Sequence, residues 1–520
     1  MKNLPIGIQS FEDLRSTGCL YVDKTEGIYR LISSGKVYFL SRPRRFGKSL
    51  LVSTMEAIFK GKKELFEGLY IYDKWDWSQQ FPVIRIDWTQ ISHATPDEMK
   101  VNMIGYLKEI AQKYRVSLSA QSIPDCFREL ITSLYEQTGK KVVILIDEYD
   151  SPITDHLFDS HMDDIRKAMH DFYRVMKGAD EYLRFIFLTG VSKFSGLSVF
   201  SALNNLDDIT LDRSYASICG YTQAELENNF ADYIAKAAQE NEMSGNELLE
   251  EIKLWYNGYS WDGKTSVYNP FSTLSFFKKC QFDNYWFRTG TPTFLVELLK
   301  KRNKLSPVLE AMDADSSAFE SYDPANLSEI PLLFQTGYLT IKRRTAIRTQ
   351  TLYTLGIPNS EVRISFYKHL FTAYSKYPVE QLSSLVLNVQ EQIHNGDASG
   401  LERNLTMLLA NIPYKLQVKN EAYYHSLFLL LMKIMGFDIQ GEILTSVGRI
   451  DAVWRQPGLT VVAEVKYHHK KKIGTLLDEA MKQIRDRRYY EAYLDRKVRL
   501  LAVAFTGKTV KCKLEEADCS

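Results

Sequence analysis

The run Val142-Val143-Ile144-Leu145-Ile146, closed by Asp147-Glu148, constrains the fold most. Five apolar residues in succession predict a strand buried on both faces, as in a parallel sheet covered by helices. Two carboxylates follow at its C-terminal end, where open α/β sheets place their ligands. This stretch is the first sign of an α/β class.

A second stretch, Val37 to Leu50, predicts an apolar strand, a tight basic loop, and then Gly47-Lys48-Ser49 opening a helix. Unpaired N–H groups at a helix start, with the helix dipole behind them, favour an anion. Gly47 lets backbone approach the ligand closely, Lys48 supplies a cation for outer phosphates, and Ser49 places a hydroxyl where Mg²⁺ sits. The match to G-x-x-x-x-G-K-[ST] is incomplete, because Arg42 holds the first glycine position. The expected nucleotide-contacting set is Arg45, Phe46, Gly47, Lys48, Ser49 and Leu50, with Asp147 and Thr189. With this loop upstream, Asp147 takes the Mg²⁺ shell and Glu148 the attacking water.

Other elements surround these two. A helix, a short strand at Leu20-Tyr21-Val22 and a second helix are expected over residues 11–34, with Asp23 capping the second helix. A segment just before a phosphate loop often covers the nucleotide base. Strands are expected at Val83–Asp87 and Arg184–Thr189, and a helix at Pro96–Tyr114. Thr189, with Ser192 as the alternative, ends a strand where a polar group senses a γ-phosphate. The strand at Val83, between the Gly47-Lys48-Ser49 loop and the acid pair, suits an ATPase class with an inserted strand. A helix-covered parallel sheet is thus expected over residues 1–215. Arg44, Arg45 and Arg213 are all candidates for the arginine that completes the site.

After Tyr221 the pattern turns helical, over Ala224–Glu240 and Gly245–Tyr256. The aromatic, glycine-rich stretch Trp255 to Gly263 either stacks bases or packs a loop. Residues 326–366 suggest a helix and a small hairpin, Tyr338–Lys342 with Val362–Phe366. Such a winged-helix-like piece would touch DNA or cover the ATPase.

A second chemical pattern lies at residues 450–466. Two β-rich runs flank Pro457-Gly458, a turn signal. Counting outward from a two-residue turn sets Asp451 opposite Glu464. Alternation points Lys466 the same way as Glu464. Facing carboxylates on paired strands sit about 4.5–5.5 Å apart at Cβ and repel; a divalent cation removes that penalty. A nearby lysine stabilises developing charge, which suits metal-assisted phosphodiester hydrolysis.

Gly448-Arg449-Ile450-Asp451, then Glu464-Val465-Lys466, resembles the PD-(D/E)XK nuclease motif, with Ile450 where the family usually has proline. The resemblance implies an acid on the preceding helix, Glu421, and a glutamine on the following one, Gln483. It implies Mg²⁺ or Mn²⁺ held by Glu421, Asp451 and Glu464. The blocks YVDKT (21–25), RPRRFGKSL (42–50), LIDEYDSPI (145–153) and TGVSKFSGLSVFSALNNLDDIT (189–210) resemble bacterial proteins that join an AAA-like ATPase to a PD-(D/E)XK nuclease-like domain. That resemblance implies ATP and Mg²⁺ as cofactors, ATP and nucleic acid (DNA before RNA) as partners, and metal-dependent cleavage of DNA. A different function class fits the same residues: a nucleotide-dependent signalling or assembly switch whose last domain binds nucleic acid or a partner without cleaving.

Size and composition set the outer bounds. A 520-residue chain suggests about three domains, expected at 1–215, 216–410 and 411–520. The third carries a small basic excess, with 17 Lys+Arg against 13 Asp+Glu from Glu421 onward in a chain of net charge +1. Its electrostatic grip on a phosphate backbone is therefore modest and salt-sensitive. Lys466 to Lys472 interleaves lysines with Tyr467, His468 and His469, a candidate backbone contact beside the metal site. Six scattered cysteines without a CxxC pair fit a reducing cytoplasm. No apolar run spans a bilayer, so no membrane is expected. A homo-oligomer is compatible with the sequence.

Overall fold

The computed structural model describes residues 1–157, 159–193, 203, 205–286, 312–319, 329–347, 350–375, 379–410, 421–434, 440–445, 448–456, 459–488, 490–493, 497–506 and 509–517. The chain divides into two compact units, one of residues 1–286 and 310–359, the other of 287–309 and 360–520.

The first unit opens with helices α1 (Phe11–Ser16) and α2 (Thr25–Ser34). Between them Leu20-Tyr21-Val22 has no regular secondary structure and pairs in no ladder among the described residues, contrary to the expected strand. Side-chain burial accounts for its alternation: Leu20 and Val22 enter a core of helical aromatics, while Tyr21 packs on Phe11. Asp23 accepts from the N–H and hydroxyl of Thr25, as expected at that helix start.

Strands β1 (Val37–Ser41), β2 (Val83–Asp87), β3 (Val142–Asp147), β4 (Leu183–Gly190) and β5 (Asp207–Asp208) form one parallel sheet in the order β2-β3-β4-β1-β5. Every residue of β1 and β3 is buried, as continuous apolar strands require. Strand β4 lies between β1 and β3, so the phosphate-loop strand and the acid-bearing strand are not neighbours. Helix α3 (Lys48–Phe59) packs on β2, β3 and β4. Helices α4 (Pro96–Lys113) and α5 (Ile123–Thr138) carry Thr95 and Ser122 caps followed within two residues by proline, the expected start signals. With α6 (Ser151–Asp155) and α7 (Met162–Gly178) they complete the cover of the sheet.

Helices α8 (Gln223–Glu240) and α9 (Gly245–Tyr256) each begin with a full capping box. With α10 (Pro270–Lys279) they bury the aromatic core that receives Leu20 and Val22. A three-stranded sheet follows, from β6 (Met312–Ala314), β7 (Thr340–Ile347) and β8 (Gln350–Gly356), beside α11 (Glu329–Gln335). The hairpin is therefore β7–β8, and Val362–Phe366 is helical instead. That segment alternates like a strand, but Val362 and Phe366 are also four apart and bury one face of a helix. Residues 331–335 of α11 are buried.

The second unit contains α12 (Ser360–Ser375), α13 (Val379–Asn395), α14 (Ala398–Ala410), α15 (Glu421–Ile434) and a mixed sheet with α16 (Ile473–Asp486). Its strands β9 (Gln440–Thr445), β10 (Gly448–Gln456), β11 (Leu459–Tyr467), β12 (Lys497–Thr506) and β13 (Thr509–Glu516) run in the order β13-β12-β11-β10-β9. Only β11 and β12 are parallel, and α16 connects them. Val453 and Val462 pack under Ala480, Met481 and Ile484 of α16. On the other face Tyr424 of α15 stacks on Tyr467, centroids 4.3 Å apart. Among the described residues no helix is long and apolar enough to cross a membrane.

Candidate active sites

At the first site the chain leaves β1 through Arg42-Pro43-Arg44-Arg45-Phe46 and enters α3 at Gly47. Gly47 has φ 90° and Arg45 φ 70°, left-handed conformations that glycine adopts freely and arginine does not. Lys48 is buried, its Nζ 3.3 Å from the Pro43 carbonyl and 3.2 Å from Glu148 Oε1. Asp147 is fully buried, and its Oδ1 accepts the Glu148 N–H at 3.0 Å. Its Oδ2 is buried without a hydrogen-bond partner among the described residues. Burial pushes the Asp147 carboxyl up to about 6; the charge of Glu148 adds to this, and the Ser49 hydroxyl and Lys48 oppose it. Glu148 itself has φ 48°, a strained backbone state that clusters at functional sites.

Thr189 is buried at the end of β4, and its hydroxyl donates to the Leu40 carbonyl at 2.8 Å. It ties β4 to the strand that delivers the phosphate loop. Ser192 follows with its N–H 2.6 Å from Asp150 Oδ2, while its carbonyl accepts the Tyr149 hydroxyl at 2.7 Å. Asp150 thus holds the turn after β4, and burial, with Glu148 nearby, lifts its carboxyl to about 6. A Cβ at Gly190 would meet Asp150 Oδ1 at 2.2 Å, so only glycine fits there. Arg44 and Arg213 are exposed, and Arg45 lies over the Phe271 ring at 4.7 Å.

An apolar cavity adjoins Gly47 and half-buried Leu50, walled by Val22, Ile218, Cys219 and Tyr221. Lys24 borders it, but its Nζ is held by Glu225 at 2.6 Å and the Ser217 carbonyl at 2.9 Å. Residues Leu20, Tyr21, Val22 and Lys24, before the phosphate loop, thus line this cavity. Tyr259 and Trp261 are buried against Phe46 and offer no face for stacking a nucleic-acid base.

At the second site the register is the counted one. Gln456 pairs with Leu459 and Ala452 with Ala463; the ladder ends there, one step short of Asp451 and Glu464, and the turn at Pro457-Gly458 lies outside the described residues. Asp451 Oδ2 accepts the Val465 N–H at 2.9 Å. Glu464 is 1% exposed, and its Oε1 accepts from Lys466 Nζ at 2.9 Å and from the Gln483 amide. Glu464 Oε2 is buried without a hydrogen-bond partner among the described residues. Burial pushes the Glu464 carboxyl up to about 7; Asp451 adds to this, and Lys466 and Arg487 oppose it. Glu421 begins α15, but its side chain lies outside the described residues. His425, one turn on, contacts the Asp451 carbonyl at 3.0 Å. Among the described residues no three His, Cys, Asp or Glu side chains already form a metal cage.

Residues 5–200 match the family model described as "Predicted AAA-ATPase", and residues 419–515 match that of the PD-(D/E)XK nuclease superfamily. The protein of Azotobacter chroococcum mcd 1 described as "Uncharacterized protein in vnfD 5'region" is 38% identical over 520 residues, covering 97% of this chain and 96% of that one. The chain belongs to this AAA-ATPase-like family, with a C-terminal PD-(D/E)XK nuclease superfamily domain.

Within the AAA-ATPase-like domain one acid escaped the sequence reading. Asp87 ends β2 and pairs in register with Asp147. Its carboxylate accepts from Thr89 and Gln90, and its charge adds to the rise at Asp147. Its signal was an apolar strand closing on an acid, the same pattern as in β3. In the nuclease-like domain the basic loop is partly engaged. Lys471 pairs with Glu479 at 2.8 Å and His468 stacks on His469, while His469, Lys470 and Lys472 are exposed.

Proposed function

We propose that the protein binds and hydrolyses ATP at the first site and cleaves DNA phosphodiesters at the second, with nucleotide driving or gating cleavage. One observation carries this reading. Each site sets a lysine about 3 Å from one acid of a carboxylate pair, and each leaves a buried carboxylate oxygen, Asp147 Oδ2 or Glu464 Oε2, without a hydrogen bond among the described residues. A buried, unsatisfied carboxylate oxygen is costly, and a divalent cation relieves that cost.

In this reading Gly47 and the start of α3 cradle the phosphates, with Arg45, Phe46 and Leu50 shaping the loop. Lys48 leaves Glu148 for the incoming phosphate, which releases the Glu148 carboxylate to take a proton from water. Ser49 and Asp147 would hold Mg²⁺, and Thr189 fixes the loop through Leu40. At the second site Asp451, Glu464 and Glu421 would hold Mg²⁺ or Mn²⁺. When bound, such a cation supplies Lewis-acid stabilisation and an acidified water. Lys466 places positive charge where the phosphorane oxygens develop charge, and Gln483 orients Glu464. Functional regions of 1–215, 216–410 and 411–520, a cytoplasmic location and a homo-oligomeric assembly belong to the same proposal.

The test is cleavage of a panel of duplex and single-stranded DNA and RNA with Mg²⁺ or Mn²⁺, with and without ATP. Cleavage lost in Glu464→Gln and altered by nucleotide only when Lys48 is intact supports the proposal. Intact substrates throughout, with metal still bound, favour the switch.

A further inference from the structure

The phosphate loop lacks its first glycine, and the structure shows what replaces it. Arg42 does not face the anion site. Its guanidinium is fully buried, with Nη1 donating to the Ser41 carbonyl at 2.8 Å and the Thr210 carbonyl at 2.9 Å, and Nη2 to the Tyr215 carbonyl at 3.2 Å. Its Cζ lies 4.0 Å from the Trp261 ring centroid. No carboxylate among the described residues pairs with it, so carbonyl dipoles and a π face hold the charge.

Trp261 also reaches the far end of the loop. Phe46 meets Trp261 edge-on at 5.5 Å and Tyr259 edge-on at 4.7 Å. The residues between are gripped from the same region. A Cβ on Gly337 would meet Pro43 at 2.8 Å, and the Arg44 carbonyl accepts Trp286 Nε1 at 3.1 Å. The strap that carries Trp261 is itself fixed: Ser260 exchanges two hydrogen bonds with Thr340, at 2.7 and 3.0 Å. Gly258, at φ 99°, leaves no room for a Cβ beside the Pro358 carbonyl.

We propose that Arg42 and Trp261 are positioning residues for phosphoryl transfer, holding the phosphate loop in its anion-ready shape in place of the missing glycine. This rests on the ATPase reading above. The loop carries left-handed residues at Arg45 and Gly47, and such a shape persists only where its surroundings over-determine it. Small displacements of reacting groups cost rate steeply, about a hundredfold for 1 Å. The aromatic stretch at 255–263 thereby becomes part of the ATPase site.

The test compares wild type with Trp261→Leu, Trp261→Phe, Arg42→Lys and Arg42→Gly. It measures ATPase kcat and KM, fluorescent ADP affinity, and folded fraction by circular dichroism. Trp261→Leu and Arg42→Lys are expected to lower kcat about tenfold or more, with ADP affinity changed less than about threefold. Trp261→Phe, which keeps a π face, is expected to stay near wild type. The Trp261→Leu/Arg42→Lys double variant is expected to be no slower than the worse single, because the two share one interaction. Arg42→Gly, which restores the general motif, is expected to lose rate. A wild-type kcat in Trp261→Leu and Arg42→Lys overturns the proposal, as does a loss that merely tracks the unfolded fraction. If Trp261→Leu fails to fold, Arg42→Lys and Trp261→Phe decide by the same criteria. A wild type that turns over no ATP overturns the parent reading and this one with it; turnover indifferent to these variants overturns this one alone.

Discussion

Lys48 Nζ lies 3.2 Å from Glu148 Oε1, with the lysine side chain 3% exposed and the glutamate 23% exposed. The ammonium that would grip a phosphate is thus stored against the acid that would activate water. Removing it deletes the phosphate cation and a charge that offsets the buried acids beside it, a loss of stability moderated by the 23% exposure of Glu148. Lys48→Ala is expected to reduce ATP hydrolysis at least about a hundredfold and to weaken nucleotide binding, with circular dichroism unchanged. A colorimetric phosphate assay and a fluorescent-ATP titration check both outcomes.

The cavity beside Gly47 has an apolar wall at Ile218, and Lys24 is withheld from it by Glu225. A purine there gains affinity from burial of its faces. Ile218→Trp fills the space and leaves the phosphate loop's own sequence unchanged. Nucleotide affinity is expected to fall about tenfold or more, while inorganic triphosphate binding stays near wild type. Competition between triphosphate and fluorescent ATP reads the difference.

Glu464 is held near 7 instead of 4.5 by burial beside Asp451. In the metal-free protein the fold therefore retains a proton that the unfolded chain releases. That contribution is complete below about pH 4.5 and is lost as pH rises through about 7. Metal-free wild type is expected to lose a few °C of Tm between pH 5 and 8 relative to Glu464→Gln. Divalent cation competes with that proton, so Mn²⁺ affinity is expected to rise with pH across the same window. Thermal melts over pH, with and without Mn²⁺, check both expectations.

Lys466 and Gln483 converge on the same Glu464 oxygen but have different duties. Lys466→Ala removes a charge needed most in the transition state, so cleavage is expected to fall about a hundredfold or more with Mn²⁺ binding retained. Gln483→Ala loosens a metal-holding carboxylate, so weaker Mn²⁺ affinity, about tenfold, is expected alongside slower cleavage. Calorimetry and cleavage rates on the same preparations separate the two.

Much of this geometry was legible in the chain itself. The Val142–Asp147 strand was readable because burial on both faces demands an unbroken apolar run. The register of β10 and β11, which brings Asp451 and Glu464 to neighbouring positions, was readable because a two-residue turn fixes it. The inward course of Arg42 was not, since a local pattern does not tell whether a loop arginine turns to ligand or to protein; the distant Thr210 and Tyr215 carbonyls and Trp261 decide it. Val362–Phe366 misled because its apolar residues satisfy both a twofold and a fourfold spacing. Leu20–Val22 misled because apolar residues there need only a core to bury into, and not a neighbouring strand. Asp87 was overlooked although β2 ends on an acid as β3 does.

The central claim is that one chain carries two independent cation-dependent phosphate sites. Calorimetric titration of Mn²⁺ into the ATP-bound protein measures them together, in wild type, Asp147→Asn and Glu464→Gln. The expected result is two classes of Mn²⁺ site in wild type, with each substitution abolishing one and leaving the other. A single class, or two classes untouched by either substitution, would contradict the account.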